Sequence, residues 1–212
     1  LDIMILQVAI IGIIALGVTQ VIIIGGIDLS SGSVVGATAL VVMSFAQTAL
    51  VNGNPNPKAI FGDWAMDLPV IVPIVIGLAC GLLAGLINGL LVTKMRLPPF
   101  IVTLGTLSIF ESIKLWYSQS ESIRNVDIEA NAPSLLFFGQ GINFGGASIS
   151  YGGIMLILLA AVLWYVLNHT PWGRHVHAIG DDPDAAMLSG INVDRTLVSV
   201  YTVAGLICGF AA

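Results

Sequence analysis

The residues that could carry chemistry are few, and most are excluded by their spacing. His169, His175 and His177 stand near Asp181, Asp182 and Asp184, which raises the question of a metal site. Their intervals match no zinc pattern, and a solvated loop is the preferred reading. No serine or cysteine is accompanied by a recognisable base and orienting group, so no catalytic residue is expected. Cys80 and Cys208 lie inside apolar stretches, where cysteine acts as a small core residue. No G-x-x-x-x-G-K-[ST] string occurs, so ATP is not expected to bind this chain through a phosphate loop. GQGINFG at 139–145 misses the dinucleotide spacing, and the sequon at Asn168, His169 and Thr170 abuts an apolar stretch. Two strings remain: GGIDLSSG at 25–32, which interrupts an otherwise apolar run, and GDDPDAAMLSG at 180–190 in the longest polar interruption.

The elements that must position these strings are hydrophobic. With 57% hydrophobic and 9% charged residues and a mean hydropathy of +0.98, the chain is excluded from the ordinary soluble domains. Residues 3–24, 33–51, 70–93 and 151–167 hold no Asp, Glu, Lys or Arg; 100–118 holds only Glu111 and Lys114, and 197–212 is apolar. A hydrocarbon core of about 30 Å takes about 20 helical residues to cross. Lipid cannot satisfy backbone amides, and the runs are too long for barrel strands. The expected fold is all-α, a polytopic helical membrane protein with six hydrophobic spans in residues 1–212. The first span lacks the basic lead of a signal peptide and is too long for one.

If the spans alternate, Lys94, Arg96, Arg174 and Arg195 gather on one side, against Lys58 and Arg124 on the other. That bias places the 94–99 and 168–196 loops in the cytoplasm. Trp64, Trp116, Tyr117, Trp164, Tyr165 and Trp172 fall near span ends, where interfacial belts form. The opposite loops, 52–69 and 119–150, are rich in Asn, Gly, Pro and acidic residues and read as irregular.

Within the spans, Gly77, Gly81, Gly85 and Gly89 recur every four residues beside Cys80, Ala84 and Asn88. This small-residue face admits another helix closely, either within the subunit or across a dimer. Glu111 and Lys114, three apart, can neutralise one another on one helix face. GGIDLSSG cannot be ordinary lipid-facing helix. Unwound backbone at membrane depth is tolerated where protein or water lines it, which makes Gly25, Gly26, Asp28, Ser30, Ser31 and Gly32 candidates for a pathway or gate. The alternative is that Asp28, Ser30 or Ser31 merely caps the next helix.

In the 168–196 loop, Asp182 suits an N-cap, Pro183 the first helical position, Asp184 the positive helix end, and Gly190 the C-terminal stop. A helix of about two turns is marginal in water and must gain stability by docking. Ala185, Ala186, Met187 and Leu188 would let it lie in a partner's groove. A plain loop helix packed on its own subunit explains the same pattern.

Asp184, Ala185, Ala186 and Gly190 resemble the E/D-A-A-x-x-x-G core of the coupling segment in bacterial ABC importer permeases. GGIDLSSG, LPPFIVTLGT at 97–106 and WGRHVHAIGDDPDAAMLSGINV at 172–193 resemble the monosaccharide branch, which includes ribose, xylose, galactose and fructose systems. LPPFIVTLG, ESIRNVDIEANA at 121–132 and GDDPDAA look most similar to fructose-type permeases. The resemblance implies a membrane subunit of about ten spans, of which this chain is the central part. It implies a dimer, of like or unlike permease subunits, working with a cytoplasmic ATP-binding subunit that carries ATP and Mg and with a periplasmic sugar-binding protein. No nucleic acid, metal or cofactor is implied for the chain itself. Loops 52–69 and 119–150 would then be periplasmic, and Asp182, Pro183, Asp184, Ala185, Ala186, Met187, Leu188 and Gly190 would couple to the ATPase. A neutral, hydroxyl-rich solute needs amide and hydroxyl partners, for which Gln7, Thr19, Gln20, Asp28, Ser30, Ser31, Asn88, Thr103 and Thr106 are candidates. Two other classes compete. An ion-coupled transporter should bury ionisable residues and show paired helix breaks, and a passive channel has no use for a docking helix.

Overall fold

The structure is a computed structural model that describes residues 2–45, 47–48, 50–51, 54–56, 63–64, 68–118, 141–144 and 147–212. All of 119–140, which includes 121–132, and most of the 52–69 stretch lie outside the described residues. Among the described residues eight helices follow one another: α1 (Asp2–Ile23), α2 (Ser31–Ser44), α3 (Ile71–Lys94), α4 (Pro99–Ser118), α5 (Tyr151–His169), α6 (Pro171–Asp181), α7 (Pro183–Leu188) and α8 (Val193–Ala211). Five of them, α1, α3, α4, α5 and α8, are long and apolar enough to cross a membrane. The large side chains left exposed on them, such as Ile11, Ile71, Ile109 and Ile157, form the face that lipid covers. Two antiparallel hairpins modify the expectation of irregular outer loops: β1 (Leu50–Val51) pairs with β2 (Asn54–Pro55), and β3 (Gly141–Phe144) pairs with β4 (Ala147–Ser150), Ile142 opposite Ile149.

The central seam is α3 against α8, running antiparallel. A methyl placed on Gly81 would strike the Gly205 carbonyl and the Gly209 Cα, and one on Gly85 the Tyr201 carbonyl. The glycine stripe of α3 is therefore met by a second small-residue row on α8, Gly205 and Gly209, and serves packing within the subunit. The salt bridge expected on α4 forms, with Lys114 Nζ 2.7 Å from Glu111 Oε1, and the lysine stem rests against Gly36 of α2.

The second apolar stretch departs from the simple reading of 33–51 as a full helical span: α2 begins at Ser31 and ends at Ser44. Fourteen residues reach about 21 Å at 1.5 Å each, short of a bilayer core. Apolar composition measures preference for lipid and not helicity, so it extended across the tight turns in which Phe45 N–H donates to the Val42 carbonyl and Gln47 N–H to that of Ser44. At the other end, Ser30 is bonded to Asn88, six residues before α3 ends at Lys94, so α2 starts about 9 Å inside the end of its neighbour. The non-helical segment 24–30, a turn followed by irregular chain, precedes the helix, so the stretch from 24 to 44 is seven non-helical residues and fourteen helical ones.

Candidate functional site: a broken crossing and a capped loop helix

The break is assembled from both of its competing readings. Helix α1 ends in a Schellman motif: Gly25 N–H donates to the Ile22 carbonyl and Gly26 N–H to that of Val21, each at 2.9 Å, with Gly25 at φ +75°. The first two residues of GGIDLSSG are thus a helix stop. The chain then turns back into the protein, and the Asp28 carboxylate organises the next start. Its Oδ1 accepts from Ser30 N–H at 2.8 Å and from the Ser30 hydroxyl at 2.7 Å, while Oδ2 accepts from the Ser31 hydroxyl at 3.0 Å. Ser30 occupies the N-cap position without capping through its own side chain, so Asp28 supplies the negative charge that the first turn of α2 favours.

Two long-range bonds tie this segment to its neighbours. Asn88 Nδ2 donates to Ser30 Oγ at 2.8 Å, and the Thr103 hydroxyl, 2.9 Å from the Pro99 carbonyl of its own helix, shares its proton with the Ile27 carbonyl at 3.2 Å. The structure therefore brings Asp28, Ser30, Ser31, Asn88 and Thr103 to one place. Gly26 belongs there as well, because a side chain on it would meet the Tyr201 hydroxyl at 2.7 Å. Gly32 is exposed and has open space around it. Thr106 is buried but donates to the carbonyls of Val102 and Thr103 in its own helix. Gln7 and Thr19 lie on the exposed face of α1, and Thr19 donates to the Ala15 carbonyl, so neither joins the cluster.

Three atoms near the break are unusual. Gln20 Oε1, Asn88 Oδ1 and the Tyr201 hydroxyl are buried without a hydrogen-bond partner among the described residues. Interiors normally satisfy such groups, at a penalty of about 1–3 kcal/mol where they do not. Tyr201 was not among the residues singled out from the sequence; a lone tyrosine near the start of an apolar span gives no signal of what it faces.

On the loop side, every cap read from the sequence is present. Asp182 Oδ1 accepts from Asp184 N–H at 2.9 Å and Ala185 N–H at 3.1 Å, and Pro183 opens α7. The helix closes with a second Schellman motif, Gly190 N–H to the Met187 carbonyl and Ile191 N–H to that of Ala186, with Gly190 at φ +86°. It spans 183–188, and Ala186 is its one buried residue. Met187 is 59% and Leu188 87% exposed. Such side chains on a helix this short leave an apolar face for something else to cover.

The sequence reading missed the helix before it. Thr170 caps α6 by accepting from Gly173 N–H, Pro171 opens it, and Trp172, Val176 and Ile179 form a row that packs into the main core with Ile24, Ala186 and Tyr201. The Thr-Pro start and the four-then-three spacing were available as signals. Trp172 also donates from Nε1 to the Ser199 hydroxyl at 2.8 Å, anchoring α6 to α8. Among the described residues, no group of three His, Cys, Asp or Glu side chains could hold a metal ion.

Among the described residues, a multi-pass helical chain has a broken crossing flanked by buried, unpartnered polar groups on neighbouring helices and a loop helix that exposes Met187 and Leu188, an arrangement that suits a permease. The comparisons agree. The chain belongs to the family described as branched-chain amino acid transport system / permease component, which matches residues 1–212. It is 43% identical over 205 residues to a fructose import permease protein of Rhizobium meliloti, covering 97% of this chain and 52% of that protein. A ribose import permease protein of Bacillus subtilis is 35% identical over 206 residues, 97% of this chain and 56% of the relative. A galactose/methyl galactoside import permease protein of Haemophilus influenzae is 33% identical over 199 residues, 93% and 57%. The chain thus spans about half the length of the curated relatives it matches. No solved structure matches it.

Proposed function

We propose that this chain is part of the membrane subunit of an ATP-driven importer that carries a monosaccharide across the bacterial inner membrane. The observation that carries the reading is α7, a doubly capped six-residue helix that exposes Met187 and Leu188, in a chain whose relatives are sugar import permeases. Asp182, Pro183, Asp184, Ala185, Ala186, Met187, Leu188 and Gly190 form a handle for a cytoplasmic ATP-binding subunit, on which ATP and Mg are held. Closure of paired ATP-binding subunits moves the handle, and the permease alternates between outward and inward access. A periplasmic sugar-binding protein delivers the cargo, and a second permease subunit completes the pathway. Loops 52–69 and 119–150 face the periplasm on this reading, and 168–196 the cytoplasm.

The gate is the broken crossing. Gly25, Gly26, Asp28, Ser30, Ser31 and Gly32 form it, Asn88 and Thr103 bond to it, Thr106 lies one turn further along the helix that carries Thr103, and the unpartnered Asn88 Oδ1 and Tyr201 hydroxyl are suited to sugar hydroxyls. The family description names amino acids, but a zwitterion would need a cationic and an anionic partner. The only described side-chain ion pair in the spans, Glu111 with Lys114, is closed on itself. Neutral hydroxyl chemistry fits better, and the relatives supply fructose, ribose and galactose as the first cargoes to try.

Uptake of a panel of radiolabelled pentoses and hexoses by the full-length complex in vesicles tests the reading. ATP-dependent accumulation of at least one supports it. Accumulation that persists without an ATP-binding subunit refutes it in favour of an ion-coupled carrier or a channel.

A further inference from the structure

Helix α7 has no slack behind it. One residue, Asp182, ends α6 and begins α7: its N–H donates to the Ala178 carbonyl at 3.1 Å, its carbonyl accepts from Ala186 N–H at 3.0 Å, and its carboxylate holds the next two amides. Displacement of α7 is therefore handed to α6 through a hydrogen-bonded elbow and not through a flexible linker.

Helix α6 in turn is seated on the ends of two membrane helices. Gly173 and Gly180 are seven residues apart, so they lie on one face about 10.5 Å from each other. Each meets a backbone carbonyl in the last turn of a long helix: Gly173 that of Leu167 in α5, Gly180 that of Ile23 in α1. A Cβ at either position would occupy the space of the carbonyl oxygen, so the approach requires glycine. The row Val176 and Ile179, fully buried between the two glycines, locks α6 against rotation.

Ile23 is the last residue of α1, and the next turn is the Gly25–Gly26 stop that opens into the broken crossing. On its far side that stop is backed by α8, where the Tyr201 hydroxyl lies against Gly26. Coupling between distant sites is carried by packed and hydrogen-bonded elements, and the contacts from α7 through α6 to the end of α1 form a continuous set of them.

We propose that α6 is the strut by which the docking helix drives the break, and that Gly180 is the positioning residue that sets its contact with Ile23. The inference rests on the importer reading, because it assumes that α7 is what the ATP-binding subunit moves. Gly180→Val pushes α6 off the end of α1 while leaving Met187, Leu188 and the Asp182 cap unchanged.

The experiment uses the full-length importer with its ATP-binding subunit and binding protein in lipid vesicles. Basal ATP hydrolysis, cargo-stimulated hydrolysis and uptake are measured for Gly180→Val and Gly180→Ala. Allosteric couplings commonly correspond to about 5- to 150-fold, and cargo stimulation and uptake should fall in that range while the ATP-binding subunit stays bound and basal hydrolysis is kept. A second readout is thiol labelling at Gly32→Cys, a position with open space around it, against the same protein without that cysteine. Its labelling rate should change with nucleotide in the parent and cease to change in Gly180→Ala, which decides the matter if Gly180→Val does not assemble. Normal coupling in the Gly180 variants, or nucleotide-dependent labelling that survives in Gly180→Ala, overturns the strut alone. A parent complex that binds no ATP-binding subunit overturns the importer reading, and the strut with it.

Discussion

Gly→Ala substitutions in this chain should change sign from one helix to the next. At Gly81 a new Cβ would sit 2.6 Å from the Cα and the nitrogen of Gly209 and would also strike the Gly205 carbonyl. Comfortable carbon–carbon separation is about 3.5–4.0 Å, so α3 and α8 must part by about 1 Å. No rotamer can relieve the clash, because every atom struck is backbone, and Gly205 strikes Gly85 in return. Overpacking costs about 1–3 kcal/mol, and a backbone-on-backbone clash belongs at the upper end. Alanine recovers about 1 kcal/mol of helix propensity, leaving a net loss of about 2 kcal/mol. Gly105, in the middle of α4, has nothing within 4 Å of its Cβ position and keeps only the gain. Gly77 falls between, since the atom met at 2.7 Å is a methyl of Val42 that can turn away. Thermal unfolding of the full-length permease in nanodiscs, followed by tryptophan fluorescence, should show Gly81→Ala and Gly85→Ala melting about 2–4 °C below the parent and Gly105→Ala about 1–2 °C above it. Gly81→Ala and Gly85→Ala proteins as stable as the parent would mean that the two helices are not in backbone contact, and the central seam described above would be wrong.

Other expectations concern single bonds. Asp182→Ala removes the carboxylate that accepts from two α7 amides and should weaken binding of the ATP-binding subunit by up to about 30-fold, whereas Asp182→Asn, an equally good cap, should stay within about 2-fold of the parent. Equal damage by both in a binding titration would show that the charge and not the cap matters. Asn88→Ala deletes the bond to Ser30, and interhelical bonds in membranes contribute about 0.6–1.7 kcal/mol, so labelling at Gly32→Cys should quicken about 3- to 18-fold. An unaltered rate would mean that Asn88 does not hold the break shut. Glu111→Gln leaves the Lys114 ammonium unpaired beside Gly36 and should destabilise by up to about 2.5–3.5 kcal/mol, with Glu111→Gln/Lys114→Gln restoring most of the loss. If the melting temperatures of the single and double variants coincide, the pair is not neutralising itself.

What could be read from the sequence was what is local. The two ends of α7 are decided within four residues, by an acceptor at Asp182, a fixed φ at Pro183 and a left-handed turn at Gly190, and each is a property of residue type. Half of the seam was legible for the same reason, since four glycines on one helix face require a close neighbour whoever it is. Its identity was not, because Gly205 and Gly209 pair with Gly81 and Gly77 only once the chain has crossed the membrane several times. Helix α6 was overlooked because Arg174, His175 and His177 occupy its outer face and gave the segment the composition of a solvated loop, which hid the row of Trp172, Val176 and Ile179 beneath them. The length of the second crossing was misjudged because a run without charges says where the chain is content in lipid and not where its backbone is helical.

The break shows why the two readings of GGIDLSSG could not be separated in advance. A cap and an unwound segment use the same residues, since both need glycines free in φ and side chains that bond nearby amides. The difference lies in depth. Asp28 capping a helix at the membrane surface would be unremarkable, but here the start of α2 is fixed inside the protein by Asn88 of α3, and the Ile27 carbonyl is held by Thr103 of α4. Those bonds join three helices through a segment with no regular hydrogen bonding of its own, so a shift of any one of them must be absorbed there. The unsatisfied Asn88 Oδ1 and Tyr201 hydroxyl sit in the same region, where the interior departs furthest from the well-packed seam beside it. A core selected only for stability would have paired them or replaced them with apolar groups. Their position beside the non-helical segment 24–30 is the physical argument for the proposal that the gate lies here and not along the glycine seam.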